Sequence, residues 1–155
     1  MDDSVKIIRQ HAFLDCRKMK RCIMGDQVER IERQAFLQCR SLKNLRLSRG
    51  LQFIGEDVFC CCTSIECLFV PPKVRQIQLC AMQFCSAMKI LVLPDNIRIN
   101  QIGETIIHSC DALLANQEEG HPGIFSCTTP EKIYDFHNYG SQSTYSDTWR
   151  QESAK

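Results

Sequence analysis

No stretch of this chain offers the roughly 18 uninterrupted apolar residues that a membrane-spanning helix needs. The opening residues, Met1-Asp2-Asp3-Ser4-Val5, show no basic stretch followed by an apolar run, so neither export nor anchoring is indicated. A glycine-rich phosphate loop is missing as well. The four histidines, His11, His108, His121 and His137, stand in no recognised nucleophile, metal or acid-base motif. His108-x-Cys110 is the one close pair of note. These absences argue against an enzyme, and against a cofactor or metal.

The net charge of +1 names no partner, and 44% hydrophobic with 24% charged residues place the 155-residue chain among globular proteins of one domain. Charge is unevenly spread: residues 1–50 hold 12 Lys plus Arg against 6 Asp plus Glu, and the remainder hold 7 against 12. Cysteine, by contrast, is abundant. Eleven is an odd number, so a complete set of intramolecular disulfides is impossible and a reducing, cytoplasmic location is expected.

The cysteines also reveal the organisation. Cys16, Cys39, Cys62 and Cys85 recur every 23 residues, and Cys110 follows after 25, which places a two-residue insertion in the last unit. Other columns keep the same period: Ile8, Ile31, Ile54, Ile77 and Ile102; Phe13, Phe36, Phe59, Met82 and Ile107; Met19, Leu42, Ile65, Met88 and Leu113. Cys22, Leu45, Leu68 and Leu91, with Met24, Leu47, Val70 and Leu93, complete the unit. A fixed period of this length is the signature of a solenoid. The five units run over 5–27, 28–50, 51–73, 74–96 and 97 to about 118. A unit this short cannot bury its own apolar side, but stacked units lay each column of side chains over the next, one strand spacing apart.

Within a unit, Leu42-x-x-Leu45-x-Leu47 ends in period-two alternation, the mark of a half-buried strand with Leu45 and Leu47 inward. Pro71, Pro72 and Pro94, with Gly25, Gly50 and Gly55, punctuate the stretches after the strands. The segment Ala35-Phe36-Leu37-Gln38-Cys39 is too short for a stable lone helix, so a single α or 3₁₀ turn is expected there.

The units resemble the BspA-type leucine-rich repeats. The resemblance rests on Val28-x-x-Ile31-x-x-x-Ala35-Phe36-x-x-Cys39-x-x-Leu42-x-x-Leu45-x-Leu47 and on Leu51-x-x-Ile54-Gly55-x-x-Val58-Phe59-x-x-Cys62-x-x-Ile65, with Pro71 and Pro94 at the family's proline position. It covers residues 5 to about 115. It implies an α/β leucine-rich-repeat solenoid with a parallel sheet on the concave side and short helical turns on the convex side. It also implies a non-enzymatic module that binds other macromolecules through side chains pointing out of that sheet.

From the alternation those outward positions are Arg21, Asn44, Cys67 and Ile90 in one column and Ile23, Arg46, Phe69 and Val92 in the next. The first two units present polar and basic groups. Cys67, Phe69, Ile90 and Val92 form an apolar cluster, which either binds a protein partner or lies under the chain's own tail. An alternative partner is a polyanion or nucleic acid held by Arg17-Lys18-x-Lys20-Arg21 with Arg40, Lys43, Arg46 and Arg49, although no stacking aromatic accompanies them.

The cysteine columns are expected to be reduced core residues, because equivalent side chains in parallel rungs point the same way. A zinc site from Cys60, Cys61, Cys62, Cys67, Cys80 and Cys85 is disfavoured, since Cys62 and Cys85 belong to core columns and no paired Cys-x-x-Cys appears. Cys60 and Cys61 are left as surface thiols open to oxidation.

Both ends depart from the pattern. Met1 comes almost at the first unit with no amphipathic segment over the first rung, so that edge meets a partner or the chain is a fragment. After Leu113 the next inward positions are Asn116 and Glu118, where the ladder is expected to stop. The division is therefore a solenoid over 1–118 and a C-terminal cap segment and tail over 119–155. Ile124-Phe125 and Ile133-Tyr134-x-Phe136-x-x-Tyr139 are apolar enough to fold back on the last rung or across the cluster, and the end is expected to be disordered.

Overall fold

Each of the first four units makes two short strands in a computed structural model of the chain, which describes residues 4–94, 96–97, 106–113 and the backbone of 124–126. The first strands of successive units are β1 (Ile7–Ile8), β3 (Arg30–Ile31), β5 (Phe53–Ile54) and β7 (Gln76–Ile77), and they form one parallel four-stranded sheet. The second strands are β2 (Arg21–Ile23), β4 (Asn44–Arg46), β6 (Cys67–Phe69) and β8 (Ile90–Leu93). Here β2 pairs with β4, while β6 and β8 belong to a separate three-stranded sheet closed by β9 (Ile124–Ser126). Every pairing among the first eight strands is parallel and offset by 23 residues, as in Ile8↔Ile31↔Ile54↔Ile77 and Cys22↔Leu45. The chain is a parallel β-solenoid of four described turns with little helix, which bears out the leucine-rich-repeat architecture.

The columns meet inside it. Val28, Leu51 and Val74 are fully buried, as are Phe36, Phe59, Cys39, Cys62, Cys85, Leu42 and Ile65. The phenylalanine rings are stacked rung upon rung, with centroids 4.9 Å apart for Phe13 and Phe36 and 5.6 Å for Phe36 and Phe59. Burying each such side chain contributes about 1.5–3 kcal/mol. Ile77 is only partly buried against this core, and Ile102 lies outside the described residues.

One feature corrects the sequence-based picture. The stretch around Ala35-Phe36-Leu37-Gln38-Cys39 is not a helical turn. Gln34 and Gln38 have φ of 57° and 62°, and the same left-handed pair recurs at His11 and Asp15, at Asp57 and Cys61, and at Cys80 and Phe84. Flipping the backbone at these two positions turns alternate N–H groups out of the segment. In unit two, Gln34, Phe36 and Gln38 donate to the carbonyls of Glu56, Val58 and Cys60 one rung on, while Ala35, Leu37 and Cys39 bond back three residues within the turn. Each non-glycine left-handed residue costs on the order of 1 kcal/mol; the inter-rung bonds satisfy backbone groups that would otherwise be buried unpaired. Among the described residues, helix is confined to 106–107 and 111–113.

Beyond the repeats, β9 pairs with β8 in register Leu91↔Ile124, Val92↔Phe125 and Leu93↔Ser126, so the first of the two apolar tail segments folds back on the last described rung. Ile133, Tyr134, Phe136 and Tyr139 lie outside the described residues.

Candidate functional site

The outward columns stand as the alternation requires. Arg21 pairs with Asn44 and Ile23 with Arg46 across β2 and β4, and Cys67 pairs with Ile90 and Phe69 with Val92 across β6 and β8. In each strand the residue between them, Cys22, Leu45, Leu68 or Leu91, is buried in the core. The structure thus sets these residues in two groups of four aligned positions, one on β2 and β4 and one on β6 and β8, which belong to separate sheets.

Exposure declines from the first group to the second. Arg21 is exposed, Ile23, Asn44, Arg46, Cys67 and Ile90 are half-buried, and Phe69 and Val92 retain only 8% and 5% of their accessible surface. Within the apolar cluster Phe69 and Val92 are thus mostly enclosed, while Cys67 and Ile90 stay partly accessible. β8 has a hydrogen-bonded strand on either side, β6 and β9. Burial also pushes the Cys67 thiol up to about 12.

The basic end carries its own counter-ions. Arg46, whose side chain is 13% exposed, donates to Asp26 Oδ1 at 2.9 Å and to the Met24 carbonyl at 3.4 Å. Lys43 Nζ sits 2.8 Å from Glu66, Arg17 Nε 2.6 Å from Asp15, and Arg49 Nε 3.9 Å from Asp26. The Lys43 hydrogen bond, ahead of its charge, holds the Glu66 carboxyl below its ordinary value. Arg17, Lys43, Arg46 and Arg49, four of the eight basic residues on which a polyanion would rest, are thus paired. These partners escaped the sequence reading, yet the signal was present: Lys43 and Glu66, Asp26 and Arg49, Arg9 and Glu32, and Arg33 and Glu56 are opposite charges one repeat apart.

The cysteine column has a chemical role that the spacing alone did not disclose. Cys39, Cys62, Cys85 and Cys110 donate their thiols to the carbonyls of Phe13, Phe36, Phe59 and Met82 on the preceding rung, at 3.1, 3.3, 3.2 and 3.1 Å. All ten described cysteines are free thiols. Cys110 is fully buried and engaged in this way, and the ring of His108 lies edge-to-face with Phe84, centroids 6.1 Å apart. His11 is exposed, 2.8 Å from Gln34 Oε1. Among the described residues no group of three or more His, Cys, Asp or Glu is placed to hold a metal ion, and no helix is long and apolar enough to cross a membrane.

Comparison with solved structures agrees on the fold. A leucine-rich cell surface protein of Faecalibacterium prausnitzii A2-165 superposes with a TM-score of 0.69 at 22% identity, over 86% of this chain and 33% of that one. The leucine-rich-repeat protein of T. pallidum gives 0.63 at 24% identity over 92% of this chain and 70% of that one. One from Bacteroides ovatus ATCC 8483 gives 0.51 at 20% identity, over 70% and 34%. This chain spans a third of the length of the Faecalibacterium protein. No curated protein matches by sequence. The profile of the BspA type leucine rich repeat region (6 copies) matches residues 2–116. With that match over the solenoid whose columns and register are described above, the chain belongs to the BspA-type leucine-rich-repeat family.

Proposed function

We propose that the chain is a non-enzymatic module that binds a protein partner through the outward rows of its second strands, formed by Arg21, Asn44, Cys67 and Ile90 and by Ile23, Arg46, Phe69 and Val92. The observation that carries this reading is the register within β2 and β4 and within β6 and β8, which aligns polar and basic side chains on the first pair and apolar ones on the second. Such a surface recognises shape and pattern. Segment 119–155 serves as the C-terminal cap, a role supported by β9 on the edge of β8. The thiol-to-carbonyl bonds need S–H groups, which supports residence in a reducing compartment.

The test is affinity capture with the wild type beside Arg21→Glu and Ile90→Asp, with Lys73→Glu, an exposed residue outside the rows, as control. A protein partner retained by Lys73→Glu and lost by both row variants supports the reading. Identical capture by all four proteins removes it, and loss of binding between about 50 and 200 mM salt points instead to a polyanion.

A further inference from the structure

Cys60 and Cys61 are adjacent in sequence, and their sulfurs lie 3.7 Å apart, close enough to react without any other residue moving between them. Cys61 is half-buried and Cys60 is 7% exposed, so an oxidant meets Cys61 first. The peptide that joins them occupies a particular place. Its carbonyl, on Cys60, accepts from the Gln38 N–H on the preceding rung at 2.9 Å, and its N–H, on Cys61, donates to the Gln83 carbonyl on the following rung at 2.9 Å. That single peptide therefore ties three rungs together. Cys61 itself is one of the left-handed residues, with φ of 60°.

We propose that Cys60 and Cys61 form a redox-active dithiol, closed to a vicinal disulfide by a hydroperoxide, and that closure loosens the stack on both sides of the third rung. The Cys61 thiolate attacks one peroxide oxygen, the O–O bond breaks, and Cys61 becomes a sulfenic acid with release of water or alcohol. The Cys60 sulfur then attacks the Cys61 sulfur; the S–O bond breaks and the hydroxyl leaves as water with the Cys60 proton. Two electrons pass from the thiol pair to the peroxide.

The ring so formed contains the tying peptide. Adjacent Cα atoms stand about 3.8 Å apart, short of the roughly 4.4–6.8 Å that an ordinary disulfide spans. Closure therefore twists the peptide away from the geometry that serves Gln38 and Gln83. The same strain makes the bond easy to reduce, so the step is reversible by cellular thiols.

The experiment treats the full reduced chain with equimolar hydrogen peroxide and maps the unreduced tryptic fragment from Gly50 to Lys73. In the wild type this fragment loses two hydrogens, the link lies between Cys60 and Cys61, and dithiothreitol restores the mass. The Cys60→Ser variant instead leaves a sulfenic acid at Cys61 that dimedone traps, and Cys61→Ser gives no link. In the linked wild type, amide hydrogen exchange at Gln38 and Cys61 accelerates about tenfold or more. A stable oxide on wild-type Cys61, or a link from either residue to Cys80, overturns the dithiol. A Cys60–Cys61 link with unchanged exchange at both amides overturns the coupling to the stack.

Discussion

The thiol of Cys62 donates to the carbonyl oxygen of Phe36 on the preceding rung, at 3.3 Å, in a site from which water is excluded. The Phe36 carbonyl already receives the N–H of Cys39 at 3.2 Å, so Cys62 supplies its second hydrogen bond and fills the space beside the ring stack. A small apolar residue satisfies the volume in part and the carbonyl not at all.

Cys62→Ala is accordingly expected to lower stability by about 1–2 kcal/mol, from the lost sulfur contacts and the weakened carbonyl. Urea denaturation measures it; an unchanged midpoint would mean that the thiol is only a spacer.

Gly50 tests the closeness of the turns. A Cβ there would lie 2.6 Å from the Asp26 carbonyl oxygen, which is backbone and cannot swing aside. Gly50→Ala should destabilise by roughly 1–3 kcal/mol through overpacking between the first and second rungs. Thermal unfolding reads this directly, and a variant as stable as the parent would show that the turns separate freely.

Stability should fall in alkali. Burial pushes the Cys22 thiol up to about 11 and that of Cys67 up to about 12, against about 8.5 for an unfolded cysteine. The folded value is the higher one, so the contribution is complete below the unfolded value and disappears as pH rises from there through the folded values. Urea midpoints should decline across that window in the wild type and decline less in a Cys22→Ala/Cys67→Ala variant. Parallel declines in both proteins would assign the effect to other groups.

At the acid end, Glu66 is held low by Lys43. Its folded value lies below the unfolded one, so its contribution is present above about 4.3 and is lost as pH falls through the folded value. The pair is half-exposed, with side-chain accessibilities of 59% and 47%, which keeps its worth within about 0–1 kcal/mol. NMR titration of the Glu66 carboxyl should show its midpoint rising in Lys43→Met; a midpoint that stays put would exclude the ion pair as the cause.

Much of this architecture was legible because one number, the repeat length, governs both sequence and space. The period placed Phe13, Phe36 and Phe59 over one another, aligned Cys22 with Leu45, and pointed Arg21 and Asn44 the same way. The left-handed turns were not legible, because glycine usually marks such backbone and the positions here are His11, Gln34, Asp57 and Cys80. The first strands were missed because two residues are too few to display alternation. The apolarity of Ile124-Phe125 marked it as a segment that folds back, but its register was hidden: Leu91 meets Ile124, an offset that no earlier rung shares. Alternation gave the direction of Phe69 and Val92 but carries no information about what lies above them.

The opposite charges spaced one repeat apart bear on how freely units of this kind can be rearranged. Inside, any rung offers its neighbour nearly the same aliphatic and aromatic surface, so the interior alone would accept many orders. Outside, Lys43 matches Glu66 and Arg33 matches Glu56 only while the second unit precedes the third. A shuffled chain would keep its filling and lose its seams, which makes sequence order a property written on the skin of the protein.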